Sequence, residues 1–321
     1  MKPLRKNVAI AIDGGGLRGV ITTRAMAVVE RAGIPWEGGL AHKWGDVARL
    51  IAGTSTGSVI SAAIGLGLSA AEVHQLYCVM AATIFKKSIS STLWPIFPYR
   101  YPNRPLIQVL QAYLKDKKMA ELWQPGRHMD VVLPVRDLVQ SKTHFIKSWK
   151  SAYQDWPVWK AVVASCSVPT FFPVVEGSYV DGGVGSYANP CYVAAYEARQ
   201  CLKWKAKETT LISLGTGRGP SGLKPYEADT YLPIQWLSPL ITTFMEDANE
   251  QQVRVVKELF HGLDFRRFQV DIPNFPLDDP SCVGELTRIG DELGRKILDD
   301  EVDTQAIQPP QRPPRFRERC L

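Results

Sequence analysis

The 321-residue chain has little of what would place it quickly in a metal-bound, disulfide-framed or membrane-spanning class. Its six cysteines (78, 166, 191, 201, 282 and 320) show no Cys-x-x-Cys spacing, which argues for reduced thiols in the cytoplasm rather than a zinc site or a disulfide framework. Histidines are scarce too. His42, His74, His128, His144 and His261 stand at no metal-ligand spacing, so neither metal nor cofactor is expected. No apolar run reaches the roughly 20 residues of a membrane-spanning helix. Only Val8–Ile12 separates the basic Met1–Asn7 segment from Asp13, too little for a signal peptide. No internal repeat is visible. The formal net charge of +6 is spread among mixed signs, too diffuse for nucleic acid but compatible with anionic lipid headgroups at a membrane surface.

What the chain does have is apolar residues, 45% of the total, enough for one sizeable core. Strand-like runs at 8–12, 47–52, 131–135, 174–180 and 209–214 alternate with helical segments. That order predicts an α/β fold with a mostly parallel sheet covered by helices. Three glycine-rich motifs follow such runs: Asp13-Gly-Gly-Gly-Leu-Arg-Gly19, Gly53-Thr-Ser-Thr-Gly57 and Asp181-Gly182-Gly183. Acyl transfer from a serine needs what these three can supply: backbone donors for an oxyanion, a serine on a tight turn and a carboxylate to take its proton.

Gly53-x-Ser55-x-Gly57 lies between the run 47–52 and the helix-like segment 58–68. At such a strand-to-helix turn the glycines let neighbouring backbone pass, and Ser55 projects where a helix dipole favours an anion. The plain alternative is a glycine turn with an N-cap serine. Gly14, Gly16 and Gly19 also spell Gly-x-Gly-x-x-Gly after a strand, the dinucleotide-binding fingerprint. Asp13 counts against that reading, because its carboxylate would stand beside a pyrophosphate. Consecutive glycines equally suit an oxyanion hole built from Gly15, Gly16 and the N–H of Thr56, with Gly14 in the same loop and Arg18 either strengthening the field or fixing the loop.

Asp181 is the candidate base, with Gly182 and Gly183 keeping the space around it open, although an aspartate before two glycines is also a common turn residue. A triad in the order Ser, Asp, His would need a histidine after 181, and only His261 qualifies. It looks like the last turn of a helix instead.

Taken in order, DGGGLRG (13–19), GTSTG (53–57), SVPTFFP (167–173), YVDGG (179–183) and LISLGTG (211–217) resemble the patatin-like phospholipase family, bacterial relatives of plant storage lipases and of calcium-independent phospholipase A2. The resemblance is close over 8–218 and looser to about 300. It implies a three-layer α/β/α patatin-like fold, with one domain over 1–300 and a serine nucleophile elbow. It also implies a Ser55–Asp181 dyad without histidine, an oxyanion hole from the glycine loop plus Arg18, and phospholipid or another lipid ester as substrate. Where many relatives have Asn-Asn-Pro, this chain has Tyr187-Ala188-Asn189-Pro190.

Three functions stay open at this stage. They are a phospholipase of the A type, a general carboxylesterase or acyltransferase, and an effector of the phage-defence kind, silent until a partner or a small signalling nucleotide binds. The aromatic, proline-rich segment 92–105 either meets a lipid interface through Trp94, Phe97, Tyr99 and Tyr101, near Lys86, Lys87 and Arg100, or packs on the protein. The tail 301–321, rich in proline and arginine from Gln305, reads as an extended basic end.

Overall fold

The computed structural model describes residues 1–85, 98–124, 127–219, 226–273 and 275–304. Lys86, Lys87, Trp94, Phe97 and the tail from 305 lie outside the described residues. Seven strands form the main sheet: β1 (Asn7–Ile12), β2 (Ala48–Gly53), β3 (Asp130–Asp137), β4 (Lys142–Lys147), β5 (Tyr179–Asp181), β6 (Thr209–Leu214) and β7 (Asp264–Phe268). Their order is β7-β6-β1-β2-β3-β4, and the run from β7 to β3 is parallel throughout. The apolar sequences of β1 and β6 are those of strands buried on both faces, as a helix-covered parallel sheet requires.

Helices cover both faces, unequally. One face carries α1 (Gly19–Ala32), α2 (Thr56–Gly65), α3 (Ala70–Ile84), α4 (Asn103–Leu114), α5 (Val158–Cys166) and α8 (Val283–Leu298), packed on Ile10, Ile12, Ile51, Leu133 and Leu214. The other carries α6 (Cys191–Tyr196) and the carboxyl-terminal half of α7 (Pro233–Leu259). There the strands offer Ala9, Ala11 and Ala52, small enough for α6 to lie close against the sheet.

Two features of this sheet place the site. β2, β1 and β6 all end at one edge, where their carboxyl ends open into loops. β3 pairs with β2 through Asp130–Val132 and, antiparallel, with β5 through Val135–Asp137. The carboxyl ends of β2 and β5 therefore point at each other along β3. Ala52 faces Val132 and Asp181 faces Val135, a separation of about 10 Å at the rise of a strand.

Departures from the sequence reading are local. The expected strand 174–180 pairs only over Tyr179–Asp181, because Val175 folds back onto Tyr179 through Glu176 and Gly177, both at positive φ. Strands β4 and β7 were not foreseen. Their sequences, KTHFIK and DFRRF, carry charges that depress strand propensity, and the sheet tolerates them at its two edges. In the described part of the 92–105 segment, Tyr101 is buried with its ring 5.4 Å from that of Phe85, and α4 already begins at Asn103. Tyr101 thus packs on the protein and is not an interfacial aromatic.

Candidate active site

Ser55 sits between β2 and α2 with φ 54° and ψ −124°, a conformation most side chains avoid. Several bonds hold it there. Its N–H donates to Ser165 Oγ (3.2 Å), and its carbonyl accepts from Ser58 Oγ (2.6 Å) and Cys166 Sγ (3.0 Å). The flanking glycines are required by close approach. A Cβ at Gly53 would stand 2.1 Å from the Gly57 carbonyl oxygen, and one at Gly57 would stand 2.2 Å from that of Ile12. The turn is therefore a constrained elbow, and the N-cap alternative fails because Ser55 makes no side-chain capping bond.

Asp181 is buried at the end of β5. Its Oδ1 accepts from the Gly183 N–H (2.7 Å), while Oδ2 has no hydrogen-bond partner. Burial pushes its carboxyl up to about 6, with the Ser55 hydroxyl and the Gly183 N–H pulling the other way. The hydroxyl is close enough to ease the charge without a hydrogen bond of ordinary geometry, as apo sites commonly leave such contacts. Gly182 lets this chain cross β3, since a Cβ there would stand 2.4 Å from the Pro134 carbonyl oxygen.

The glycine loop divides its labour. Gly14 donates its N–H to the Ala188 carbonyl (2.8 Å), so this residue is scaffold and not the oxyanion donor expected of it. Among the described residues no loop or cap hydrogen bond uses the N–H of Gly15, Gly16 or Thr56, and all three residues border the same cleft as Ser55. Thr216 Oγ1 donates to the Gly14 carbonyl (2.8 Å) and fills the space below Gly15, where a Cβ would come within 2.2 Å of it. The Tyr187-Ala188 departure costs nothing here. Its support is delivered by the carbonyls of Tyr187, to Thr54 Oγ1, and of Ala188, to Gly14.

Two charged residues of the loop point elsewhere than expected. Asp13 is buried against Arg267, whose Nη1 and Nη2 donate to its two oxygens at 2.8 and 2.5 Å. Its charge is thereby compensated, so the repulsion argued above against a pyrophosphate does not hold. What opposes the dinucleotide reading is the cleft itself. Arg18 is absent from the cleft lining. Its Nη1 lies 3.9 Å from where a Cβ on Gly219 would stand, with Glu246 and Asp13 as the charges acting on it.

The cleft above Ser55 holds roughly 930 Å³ of empty space including its open mouth, and among the described residues no charged side chain lines it. Met80, Ile84, Phe85, Leu106, Phe171 and Phe172 form its walls. Val168, Phe171 and Phe172 bring the SVPTFFP segment to this wall, and the Ser167 carbonyl accepts the Asp181 N–H (3.0 Å). Among the described residues the lining is apolar and suits an acyl chain.

His261 is exposed at the opposite edge of the sheet, just before the start of β7, and cannot reach Ser55. The triad alternative ends there. Among the described residues no group of three or more His, Cys, Asp or Glu is placed to hold a metal ion, and no helix is long and apolar enough to cross a membrane. Sequence reasoning missed Ser165, Cys166, Thr216 and Arg267. Ser165, Cys166 and Thr216 adjoin or fall within quoted motifs, but their partners lie more than a hundred residues away.

The model of the family described as patatin-like phospholipase matches residues 10–195. The cGAMP-activated phospholipase of Vibrio cholerae serotype O1 is 24% identical over 229 residues, covering 64% of this chain and 63% of that protein. Patatin-17 of Solanum cardiophyllum is 26% identical, covering 91% of this chain and 84% of its own length. The intracellular phospholipase A2 of Caenorhabditis elegans is 28% identical over 84% of this chain, which spans only 25% of that protein. Among solved structures, VipD from Legionella pneumophila aligns over 92% of this chain and 67% of its own, at 9% identity and a TM-score of 0.46.

Proposed function

This chain belongs to the patatin-like phospholipase family, and from that premise we propose that it is a serine hydrolase cleaving acyl esters of glycerophospholipids. The observation that carries the reading is Ser55, strained at φ 54° on the floor of a cleft walled by Met80, Ile84, Phe85, Leu106, Phe171 and Phe172, with the free Oδ2 of Asp181 as the nearby proton acceptor. In the proposed cycle Ser55 Oγ attacks the acyl carbonyl carbon while its proton passes to Asp181. The oxyanion is met by the N–H groups of Gly15, Gly16 and Thr56. Collapse expels the lysophospholipid alkoxide, which takes the proton from Asp181. Water then repeats the sequence on the acyl-enzyme and releases a fatty acid.

The acyl chain occupies the cleft and the headgroup stays outside. Peripheral contact of this cytoplasmic protein with a membrane is supported by α7. Glu246 reaches the vicinity of Arg18, and the 13 helical residues before it add about 20 Å of helix on the catalytic side of the sheet. No charged residue occurs from Tyr231 to Met245, and Leu232 and Trp236 are exposed. Gating by a signalling nucleotide is the second reading, favoured by the activator in the name of the Vibrio relative.

One assay addresses both. Purified protein is incubated with a mixed lipid extract, with and without cGAMP, and the products are read by mass spectrometry against Ser55→Ala. Lysophospholipid and fatty acid from the parent alone are expected. Equal product from Ser55→Ala, or none from the parent under either condition, overturns the hydrolase, and product independent of cGAMP overturns gating by that nucleotide.

A further inference from the structure

Between β7 and α8 the chain crosses back over the glycine loop. The Leu277 carbonyl accepts the Leu17 N–H (2.9 Å), and its oxygen lies 2.6 Å from where a Cβ on Gly16 would stand. Leu277 itself borders the cleft. One residue on, the largely buried Asp278 receives two bonds on a single oxygen. Arg100 Nη1 and the Tyr101 hydroxyl both donate to Oδ2 at 2.8 Å. Tyr101 stands edge-on to Phe85 at 5.4 Å and tilted against Phe171 and Phe172 at 6.4 and 5.9 Å, and these three rings are walls of the cleft. A continuous line of contacts thus joins the cleft wall to the oxyanion loop, and Asp278 is the carboxylate at which Arg100, Tyr101 and Leu277 meet.

We infer that Asp278 is a positioning residue, tying the oxyanion loop to the wall of the acyl cleft through the Leu277 carbonyl. The inference rests on the hydrolase reading for its kinetic consequence. The peptide joining Leu277 to Asp278 is planar and stiff, so a carboxylate anchored by Arg100 and Tyr101 fixes the direction of the Leu277 carbonyl. That carbonyl in turn fixes the Leu17 N–H, and with it the preceding Gly15 and Gly16 donors. Freed of Asp278, the strap drifts and the donors miss the oxyanion. Substrate binding is spared, because the oxyanion exists only beyond the ground state.

The test uses Asp278→Ala, Asp278→Asn and Tyr101→Phe in the full chain, with a soluble short-chain ester and with hydrogen exchange of residues 14–18. Asp278→Ala is expected to lower kcat on the order of ten- to a hundredfold, the effect of a displacement near 1 Å, while KM stays within about threefold. Asp278→Asn keeps an acceptor oxygen and Tyr101→Phe keeps the Arg100 bond, so both should fall between Ala and the parent. Exchange in 14–18 should accelerate in the same order while exchange in β1 and β6 does not change. Unchanged exchange in 14–18 overturns the inference. So does a parent-like kcat, or a loss of protection spread over the whole protein with kcat and KM moving together, which is the mark of a merely structural residue. A parent inactive on every ester would sink the hydrolase reading instead, and the exchange result alone would then uphold or overturn the tie.

Discussion

The two edges of the central sheet are built on opposite principles. At the amino edge Arg266 and Arg5 are both answered. Arg266 donates to Asp264, Asp300 and the carbonyls of Lys2 and Pro3, and Arg5 donates to the carbonyls of Ala206 and Gly262. At the carboxyl edge the protein leaves things open. Ser55 is strained, Asp181 keeps an oxygen without a partner, and Gly15, Gly16 and Thr56 carry N–H groups that no loop bond among the described residues uses. Strain and unmet polar groups cost stability, and they persist where a reacting molecule completes them. One edge serves the fold and the other serves the chemistry.

The sharpest way to break this contrast is at the open edge. Ser55→Ala should abolish ester hydrolysis and covalent labelling by a fluorophosphonate, with a rate loss on the order of 10⁴-fold or more and an intact fold. Labelling that survives the change moves the nucleophile elsewhere. Asp181→Asn should cost nearly as much. In the parent, activity should fall as pH drops through about 6, because Asp181 is a base only when ionised and burial has raised its pKa.

Stability should respond in the opposite sense. Ionising Asp181 in the fold costs about 3 kcal/mol, from the distance between an ordinary carboxyl at 3.8 and about 6. That cost is fully present above pH 6 and vanishes below pH 3.8. Asp181→Asn should therefore be the more stable protein at neutral pH, with its advantage fading between 6 and 4, as urea titrations across that range would read.

Gly15→Ala comes next. Losing a well-aimed oxyanion donor typically costs about a hundred- to a thousandfold in rate. The added methyl strikes Thr216 Oγ1, so part of the loss is displacement. Thr216→Ala opens that space, and the double variant should recover some of what Gly15→Ala loses. Strict additivity would mean the methyl blocks the oxyanion without moving the loop.

Why this much of the contrast could be read from sequence follows from where each signal resides. β1, β2, β3 and β6 are each built around an apolar run, and Gly53 and Gly57 advertise a crowded turn within five residues of one another. The partner of Asp13 does not advertise itself. Arg267 is 254 positions away, on a strand whose DFRRF sequence argues against being a strand at all. Gly14 was indistinguishable from Gly15 and Gly16 in the sequence, because its N–H is consumed by a carbonyl at Ala188. Asp181 was legible as a residue but not as a place, since a three-residue antiparallel strand brings it to the end of β2. Local motifs were readable; the long-range partners that assign each motif its task were not.

Changes at the closed edge should cost stability and leave the rate alone. Arg266→Met removes the buried guanidinium that bridges Asp264 and Asp300, leaving Asp264 with Thr210 Oγ1 and Asp300 with Lys2, and breaking a buried pair of this kind costs up to about 3 to 5 kcal/mol. The folded fraction should still turn over at the parent kcat. A fall in kcat with stability unaffected would show that the edges are not separate.

The smallest effect is expected at His261, which lies at that same closed edge on exposed chain after α7. His261→Ala removes no buried contact, so stability should move by less than about 0.5 kcal/mol. Its rate should stay within about twofold, because no proton path runs from the amino edge of a packed sheet to Ser55 on the other. The variant is informative because the chain order Ser, Asp, His is that of a triad. A folded His261→Ala protein with turnover collapsed to the level of Ser55→Ala would mean that the chain rearranges to bring the imidazole to the cleft. The division between a closed edge for folding and an open edge for chemistry would then be a property of the resting protein only.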